Sequence, residues 1–229
     1  MPRVEYHDHT STTIHVRFPV VKAGDPALEG AAIVIWTTTP WTMPGNRAVA
    51  YGDEIDYVVV ESTEVAENSL AKVGEKLVVA RRPARRICKA QTPDRGPRGT
   101  RQPQGRADLA GTVCAHPLRG QGYDYDVPAL SADFVTDDAG TGFVHIAPGH
   151  GADDFVLGKR ARIWRCRRPS ASDGVFYDHV PIFAGKMHVL EDGKHGDVAA
   201  VIDAITAAWW RAGKDQALTI RIPGAPRRR

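Results

Sequence analysis

The feature that most constrains the fold is a series of short apolar runs rich in β-branched residues. TIHVRFPV (13–20) alternates in polarity, whereas AAIVIWTTT (31–39) begins with six apolar residues in succession. YVVVES (57–62), KLVVA (76–80) and GFVHIA (142–147) are similar runs. Because runs of this length and composition are typical of β-strands, the sequence predicts a β-rich core in which 31–39 is buried.

Helical periodicity is confined to the second half of the chain. In GDVAAVIDAITAAWW (196–210) apolar residues recur at spacings of three and four, with Asp197 near the start. A second helix is predicted over 152–164, where Asp153 and Asp154 would complement the positive end of the helix dipole. Early strands followed by later helices predict an α+β fold with a mixed, β-rich core rather than a regular βαβ alternation.

Two segments show neither the apolar runs typical of strands nor the spacing typical of helices. Residues 42–56 combine Pro-Gly, Gly-Asp and Asn, and are predicted to form a turn and a connecting loop. Residues 81–108 hold nine Lys or Arg against two acids and are predicted to be a long loop or a disordered insert, with order resuming near 109. We therefore expect one domain, 1–229, that carries this basic insert and an atypical basic tail at 215–229.

Several absences bear on the cellular compartment. No apolar run approaches the ~20 residues that cross a bilayer, and the N-terminus lacks the apolar stretch of a secretory signal. Cys88, Cys114 and Cys166 are odd in number, widely spaced and without a CxxC pair. This pattern argues against a disulfide framework and indicates a reducing compartment, so we expect a cytoplasmic protein without a membrane partner.

The chemically richest stretch is DDAGTGFVHIAPGHGADDF (137–155). His145, His150, Asp153 and Asp154 could ligate a metal, but neither HExxH nor a helical histidine pair is present. The glycines match neither GxxxxGK[ST] nor GxGxxG, which argues against a nucleotide cofactor. We expect no metal and no cofactor, and we interpret the glycines as positions where the backbone turns sharply to approach a ligand.

A second polar cluster, WTTTPWTMPGNRA (36–48), holds four threonines and Asn46. Alone, this pattern is explained by the preference of threonine for strands and of asparagine for turns. Together, however, TTTPWTMPGNRAVA and the 137–155 stretch resemble the editing domain inserted into isoleucyl-tRNA synthetase. In the related domains of the valine and leucine enzymes the threonine-rich segment typically continues with an Arg-Pro pair where this chain reads Thr39-Pro40-Trp41-Thr42. The version with Trp-Thr is typical of the isoleucine enzyme. The resemblance covers residues 4–80, 109–159 and 173–208.

The resemblance implies the editing-domain fold, a barrel-like β core with peripheral helices, and an aminoacyl-tRNA hydrolase. One methylene separates valine from isoleucine and is worth only ~1–3 kcal/mol, so a second, smaller pocket must hydrolyse valine wrongly attached to the isoleucine tRNA. No Ser-His-Asp or Cys-His arrangement is evident. The expected mechanism is attack by a positioned water, assisted by hydrogen bonds to the oxyanion and by a ribose hydroxyl of the tRNA.

The resemblance also assigns roles to residues. Asp154 would hold the α-ammonium of the substrate, and His145 would exclude isoleucine by its bulk. The residues with implied catalytic roles are Thr37, Thr38, Thr39 and Asp154. Those with implied substrate-binding roles are Asn46, His145, Trp41 and His150, of which the last two would also shape the loops.

The expected partner is the acceptor end of the isoleucine tRNA carrying valine, together with the rest of a synthetase. No HIGH-like or KMSKS-like motif is present, so ligase activity is not expected. Two alternatives remain open. The segments rich in Arg, Pro, Gly and Ala could derive from frameshifts in a synthetase gene, leaving a non-functional remnant. The basic runs could instead form an RNA-binding module without catalysis, recognisable by steep salt dependence.

Overall fold

The computed structural model describes residues 13–62, 72–84, 108–163, 168–187 and 198–211. Eight strands in these segments form one mixed sheet in the order β4-β5-β2-β1-β6-β7-β3-β8. The strands are β1 (Ile14–Lys22), β2 (Ala31–Thr37), β3 (Ala48–Tyr51), β4 (Tyr57–Glu61), β5 (Lys76–Ala80), β6 (Val113–Ala115), β7 (Asp126–Ser131) and β8 (Phe143–Ile146). The β2–β5 and β3–β7 pairs are parallel, and the remaining pairs are antiparallel.

The apolar runs correspond to strands that are covered on both faces. In β2, Ile33 and Ile35 belong to the main core, whereas Ala32 and Val34 belong to a second cluster on the opposite face. Strands β4 and β5 alternate between the same two clusters. Continuous apolar runs are expected for strands buried on both faces, which explains why 31–39 lacks the alternation seen in β1.

In the segments that the structure describes, four helices accompany the sheet and a further short helical stretch occupies residues 81–84. Two are short 3-10 helices, Pro26–Leu28 and Pro40–Gly45, and two are α-helices, α1 (Ala152–Arg160) and α2 (Val198–Arg211). Helix α2 buries Val198, Val201 and Ile205, at the spacings of an amphipathic helix, and contacts the 3-10 helix Pro40–Gly45. The third apolar cluster includes Leu157 of α1 and packs α1 against β3 and β8.

The sheet curves over on itself without closing into a barrel. Strands β4 and β8 are its two edges and do not pair with each other, although β2 contacts β8. Ala80 at the end of β5 donates its N–H to Thr141 O just before β8, at 2.7 Å. The predicted α+β fold with a mixed, β-rich core is therefore confirmed. The predicted barrel-like form is present only as a curved sheet, because the sheet does not close.

The five predicted strands and the helix over 196–210 are present. The prediction of a connecting loop over 42–56 is wrong at 48–51, which form β3, a strand interior to the sheet. The run AVAY is too short to signal a strand, and its burial comes from β7, β8 and α1. Strands β6 and β7 were not predicted. Helix α1 ends at Arg160, before the predicted residue 164, and Arg162 has a left-handed φ of 60°.

The basic insert predicted over 81–108 is described only at its ends. Residues 81–84 are helical, so the loop prediction is wrong there, and 85–107 lie outside the described residues. The tail 215–229 also lies outside them, as do Cys88 and Cys166. Cys114 is a free, buried thiol whose pKa is raised by burial to about 12. Within the described segments, no helix combines the length and apolar character needed to cross a bilayer.

Candidate functional site

The two polar stretches singled out in the sequence meet where β2 and β8 approach each other. Thr37 is the last residue of β2, and the chain then enters the 3-10 helix Pro40–Gly45. His145 lies in β8, opposite Val49 of β3. The segment from Thr37 to Asn46, called the threonine segment below, is joined to β8 by the hydrogen bond from Arg47 N–H to Ile146 O, at 2.8 Å.

Three threonine hydroxyls form a continuous row along the threonine segment. Thr37 Oγ1 accepts the backbone N–H of Thr39 at 3.0 Å and lies 3.2 Å from Thr39 Oγ1. Thr39 Oγ1 lies 3.4 Å from Thr42 Oγ1, and Thr42 Oγ1 donates to Thr39 O at 2.8 Å. Pro40, with its fixed φ, begins the short helix that brings these side chains together. Thr38 is exposed and points away from the row.

His145 connects the row to Asn46. Its Nε2 lies 2.8 Å from Thr42 Oγ1 and its Nδ1 lies 3.5 Å from Asn46 Nδ2. The ring is buried, and this burial, with a smaller contribution from His150, lowers its pKa from 6.5 to about 4. A neutral imidazole with both nitrogens in hydrogen-bonding contact has a fixed orientation. Near neutral pH the lowered pKa keeps the His145 ring uncharged.

Asn46 is completely buried and holds an unpaired acceptor. Its Nδ2 donates to Ala48 O at 2.9 Å, which sets the orientation of the amide. Among the described residues, Asn46 Oδ1 is the buried side-chain polar atom left without a hydrogen-bond partner. Because an unsatisfied buried acceptor costs free energy, its presence marks this position as a candidate for function rather than for stability alone.

Three residues without a signal in the sequence support the threonine segment through hydrogen bonds to its backbone oxygens. Tyr125 donates its hydroxyl to Asn46 O at 2.9 Å, and Arg47 donates to the same oxygen at 2.7 Å while its guanidinium lies 4.2 Å from the centre of the Tyr125 ring. His116 Nε2 lies 3.1 Å from Met43 O. The sequence holds no local signal for these contacts, because Tyr125 and His116 belong to segments far from residue 46.

His116 is neutral and fully paired. Its Nδ1 accepts the N–H of Leu118 at 3.1 Å, so Nε2 carries the proton that it donates to Met43 O. The ring stacks on Tyr123 with centroids 4.7 Å apart. Burial, followed by the positive charge of Arg47, lowers its pKa to about 3. His116 therefore serves the framework of the site and is not a candidate acid or base.

Asp154 lies in the first turn of α1 and faces inward, whereas Asp153 beside it is exposed. Asp154 Oδ2 accepts the N–H of Ala147 at 2.7 Å, which places the carboxylate at the end of β8, two residues beyond His145. A methyl group on Gly151 would lie 2.8 Å from Asp154 Cγ, so only glycine permits this approach. Burial raises the pKa of Asp154.

The other two proposed site residues lie at the margins. His150 is exposed and stands beside Gly45, where an added methyl group would lie 3.3 Å from its Cδ2. Trp41 is half-buried and packs against the main core. The structure thus brings Thr37, Thr39, Asn46 and His145 together with the additional residue Thr42. Within the described residues, no three His, Cys, Asp or Glu side chains are grouped to hold a metal ion.

Sequence comparison shows that this chain is similar to part of several aminoacyl-tRNA synthetases. It is 47% identical over 216 residues to the isoleucine–tRNA ligase of Gluconobacter oxydans, an alignment covering 93% of this chain and 22% of that protein. For the Caulobacter vibrioides enzyme the identity is 45% over 197 residues, covering 83% and 20%. For the Bradyrhizobium diazoefficiens enzyme it is 41% over 216 residues, covering 90% and 21%.

The chain is homologous to a segment of isoleucine–tRNA ligases. The chain spans about a fifth of the length of the curated relatives it matches. The alignment with the Gluconobacter oxydans enzyme covers 93% of the chain, so it extends into at least part of the basic residues 81–108. No family model matches the sequence.

Two solved structures share part of the architecture. The crystal structure of GlLeuRS-CP1 is similar with a TM-score of 0.49 at 16% identity, over 64% of this chain and 58% of that chain. The editing domain of the Plasmodium falciparum cytosolic leucyl-tRNA synthetase gives a TM-score of 0.42 at 10% identity, over 62% and 52%.

Proposed function

We propose that this chain hydrolyses the ester that links valine to the isoleucine tRNA. Homology to isoleucine–tRNA ligases supports aminoacyl-tRNA editing in general. The observation that carries the finer proposal is the buried contact between His145 and the threonine segment, with the Asp154 carboxylate at the end of the same strand. This arrangement combines a rigid steric wall with a negative charge.

Asp154 would hold the α-ammonium group of the esterified amino acid. One carboxylate oxygen is occupied by the Ala147 N–H, and the other remains for the ligand. Because burial disfavours the ionised carboxylate, a bound ammonium would offset that cost and favour the charged form. Asp154 would therefore select an amino acid ester with a free amino group.

His145 would set the size limit for the side chain. Its ring is held through contacts at both nitrogens, so it cannot move aside at low cost to admit a larger group. Discrimination by one methylene is worth ~1–3 kcal/mol when the wall is rigid, and less when the wall yields. The geometry thus suits the retention of valine and the exclusion of isoleucine.

Hydrolysis would proceed by direct attack of water. The hydroxyls of Thr37, Thr38 and Thr39 and the backbone amide of Thr38 would contact the terminal adenosine and the oxyanion that forms at the ester, since the Thr39 N–H is donated to Thr37 Oγ1. The neutral state of His145 near neutral pH argues against its acting as a strong acid. The remaining polar group is a ribose hydroxyl of the tRNA, which would position the water as part of the substrate.

The partner implied by this proposal is the acceptor end of the isoleucine tRNA in the cytoplasm. The remainder of a synthetase would attach valine to that tRNA by mistake.

The test is deacylation of valine-charged isoleucine tRNA by the purified chain, compared with isoleucine-charged tRNA. We expect selective loss of valine in the wild type and its abolition in Asp154→Asn. Asp153→Asn is the matched control, because it removes the same charge from the exposed neighbouring position and should retain activity.

Equal loss of deacylation in Asp154→Asn and Asp153→Asn would show that deacylation requires negative charge at the start of α1 and not the inward carboxylate of Asp154 in particular. A folded chain that binds tRNA with steep salt dependence but leaves valine attached would favour the RNA-binding alternative. A folded chain that neither binds nor deacylates tRNA would favour the non-functional remnant.

A further inference from the structure

The hydroxyl of Thr42 lies at hydrogen-bonding distance from both a backbone carbonyl and His145. Thr42 Oγ1 donates to the backbone carbonyl of Thr39 at 2.8 Å. A hydroxyl has one proton to donate and two lone pairs with which to accept. His145 Nε2 also lies 2.8 Å from Thr42 Oγ1, so a hydroxyl whose proton points to Thr39 O accepts a hydrogen bond from a protonated Nε2.

The other side of the ring determines which nitrogen of His145 carries the proton. Asn46 Nδ2 donates to Ala48 O at 2.9 Å, and only the amide nitrogen can make that bond. The amide nitrogen therefore also faces His145 Nδ1, at 3.5 Å, and offers it a second N–H. A proton on Nδ1 would place two donors against each other, so Nδ1 accepts.

We propose that Thr42 is a positioning residue that holds His145 in its Nε2–H tautomer and fixes the ring in the valine-binding position. The proposal rests on the proposed function of the site. Of the two restraints on the ring, Thr42 supplies the shorter contact, and it is 8% exposed, so water does not readily replace it. Loss of this acceptor would free the ring and loosen the steric limit against isoleucine.

A purely structural role for Thr42 would have a different signature. The bond from Thr42 to Thr39 O lies within the short helix and could stabilise that helix without affecting His145. Thr42→Val keeps the shape and removes the hydroxyl, whereas Thr42→Ser keeps the hydroxyl. A structural role predicts altered stability with an unchanged imidazole, while a positioning role predicts a changed imidazole.

The experiment is nitrogen NMR of the full chain labelled with ¹⁵N-histidine near neutral pH, with the His145 signals assigned by their loss in His145→Gln. In the wild type and in Thr42→Ser we expect a protonated Nε2 and an unprotonated Nδ1. In Thr42→Val we expect faster solvent exchange of the Nε2 proton and a fraction of the Nδ1–H tautomer. The wild-type spectrum alone tests the assigned tautomer, even if Thr42→Val fails to fold.

A wild-type His145 protonated on Nδ1, or an unchanged His145 spectrum in folded Thr42→Val, would overturn the proposal. In deacylation assays, Thr42→Val should lower the preference for valine over isoleucine by about fivefold, the usual effect of one hydrogen bond, and Thr42→Ser should restore it. If the wild type deacylates nothing, the proposed function fails, while the tautomer assignment is still decided by the spectra.

Discussion

Mild acid should destabilise the folded chain through two buried histidines, His116 and His145. Their pKa values lie near 3 and 4, against 6.5 for an ordinary histidine. As the pH falls below 6.5, the unfolded chain binds protons that the folded chain does not accept. The stabilisation is therefore complete above 6.5 and is lost progressively down to the folded pKa.

The size of the effect between pH 7 and 5 depends little on the exact folded pKa, because both values lie below 5. The loss of unfolding free energy depends on the difference between the ordinary histidine pKa of 6.5 and the final pH. At about 1.4 kcal/mol per pH unit, this difference gives about 2 kcal/mol for each histidine. The two together should lower the free energy of unfolding by about 4 kcal/mol. Carboxylates with ordinary pKa values near 4 contribute little in this window, whereas Asp154, whose pKa is raised by burial, would bind protons in the folded chain and offset part of the loss.

The assay is urea denaturation at a series of pH values from 7 to 5, with histidine pKa values followed by NMR. His116→Gln removes one titrating group and retains an amide that can reach Met43 O, so the decline with pH should be about half that of the wild type. A wild-type stability that is flat over this range, or a His116 resonance that titrates near 6.5 in the folded chain, would refute the reasoning.

Three substitutions test other contacts. Tyr125→Phe removes the hydrogen bond to Asn46 O and keeps the ring beneath Arg47, so urea denaturation should show a loss of about 1 kcal/mol. Gly151→Ala would place a methyl group 2.8 Å from Asp154 Cγ and displace the carboxylate, so deacylation of valine-charged tRNA should fall with little change in melting temperature. Gly142→Ala combines a left-handed φ of +80° with a contact of 2.3 Å to Ala80 Cβ, and the cost should exceed the ~1–2 kcal/mol of the backbone conformation alone.

Two of these changes, Tyr125→Phe and Gly142→Ala, each have a matched control. Tyr123→Phe removes a hydroxyl bonded to Pro181 O and should destabilise the chain without changing deacylation beyond that loss. Gly111→Ala has a similar φ of +75° but open space around the new methyl group, so it measures the conformational cost alone. A Gly142→Ala variant no less stable than Gly111→Ala would contradict the close packing of β5 against the start of β8.

The sequence by itself determined those strands, and the main helix, whose apolar composition requires that they be buried. Residues 31–36, 57–60 and 77–80 are apolar at every position because both faces of those strands are covered, and that property is visible locally. The polar stretches 36–48 and 137–155 were likewise identified from their residues and from their resemblance to one family of synthetases.

Only the tertiary structure decided which of those residues touch. Thr42 and His145 are 103 positions apart and meet because β3 pairs with β8 while β2 contacts β8 from the other side. The strand β3 itself, and the support of Asn46 by Tyr125, depend on pairings across 79 positions or more. Residue patterns encode propensity and burial over a few neighbours, but the order of strands in a sheet is set by long-range packing, and that order assembles the site.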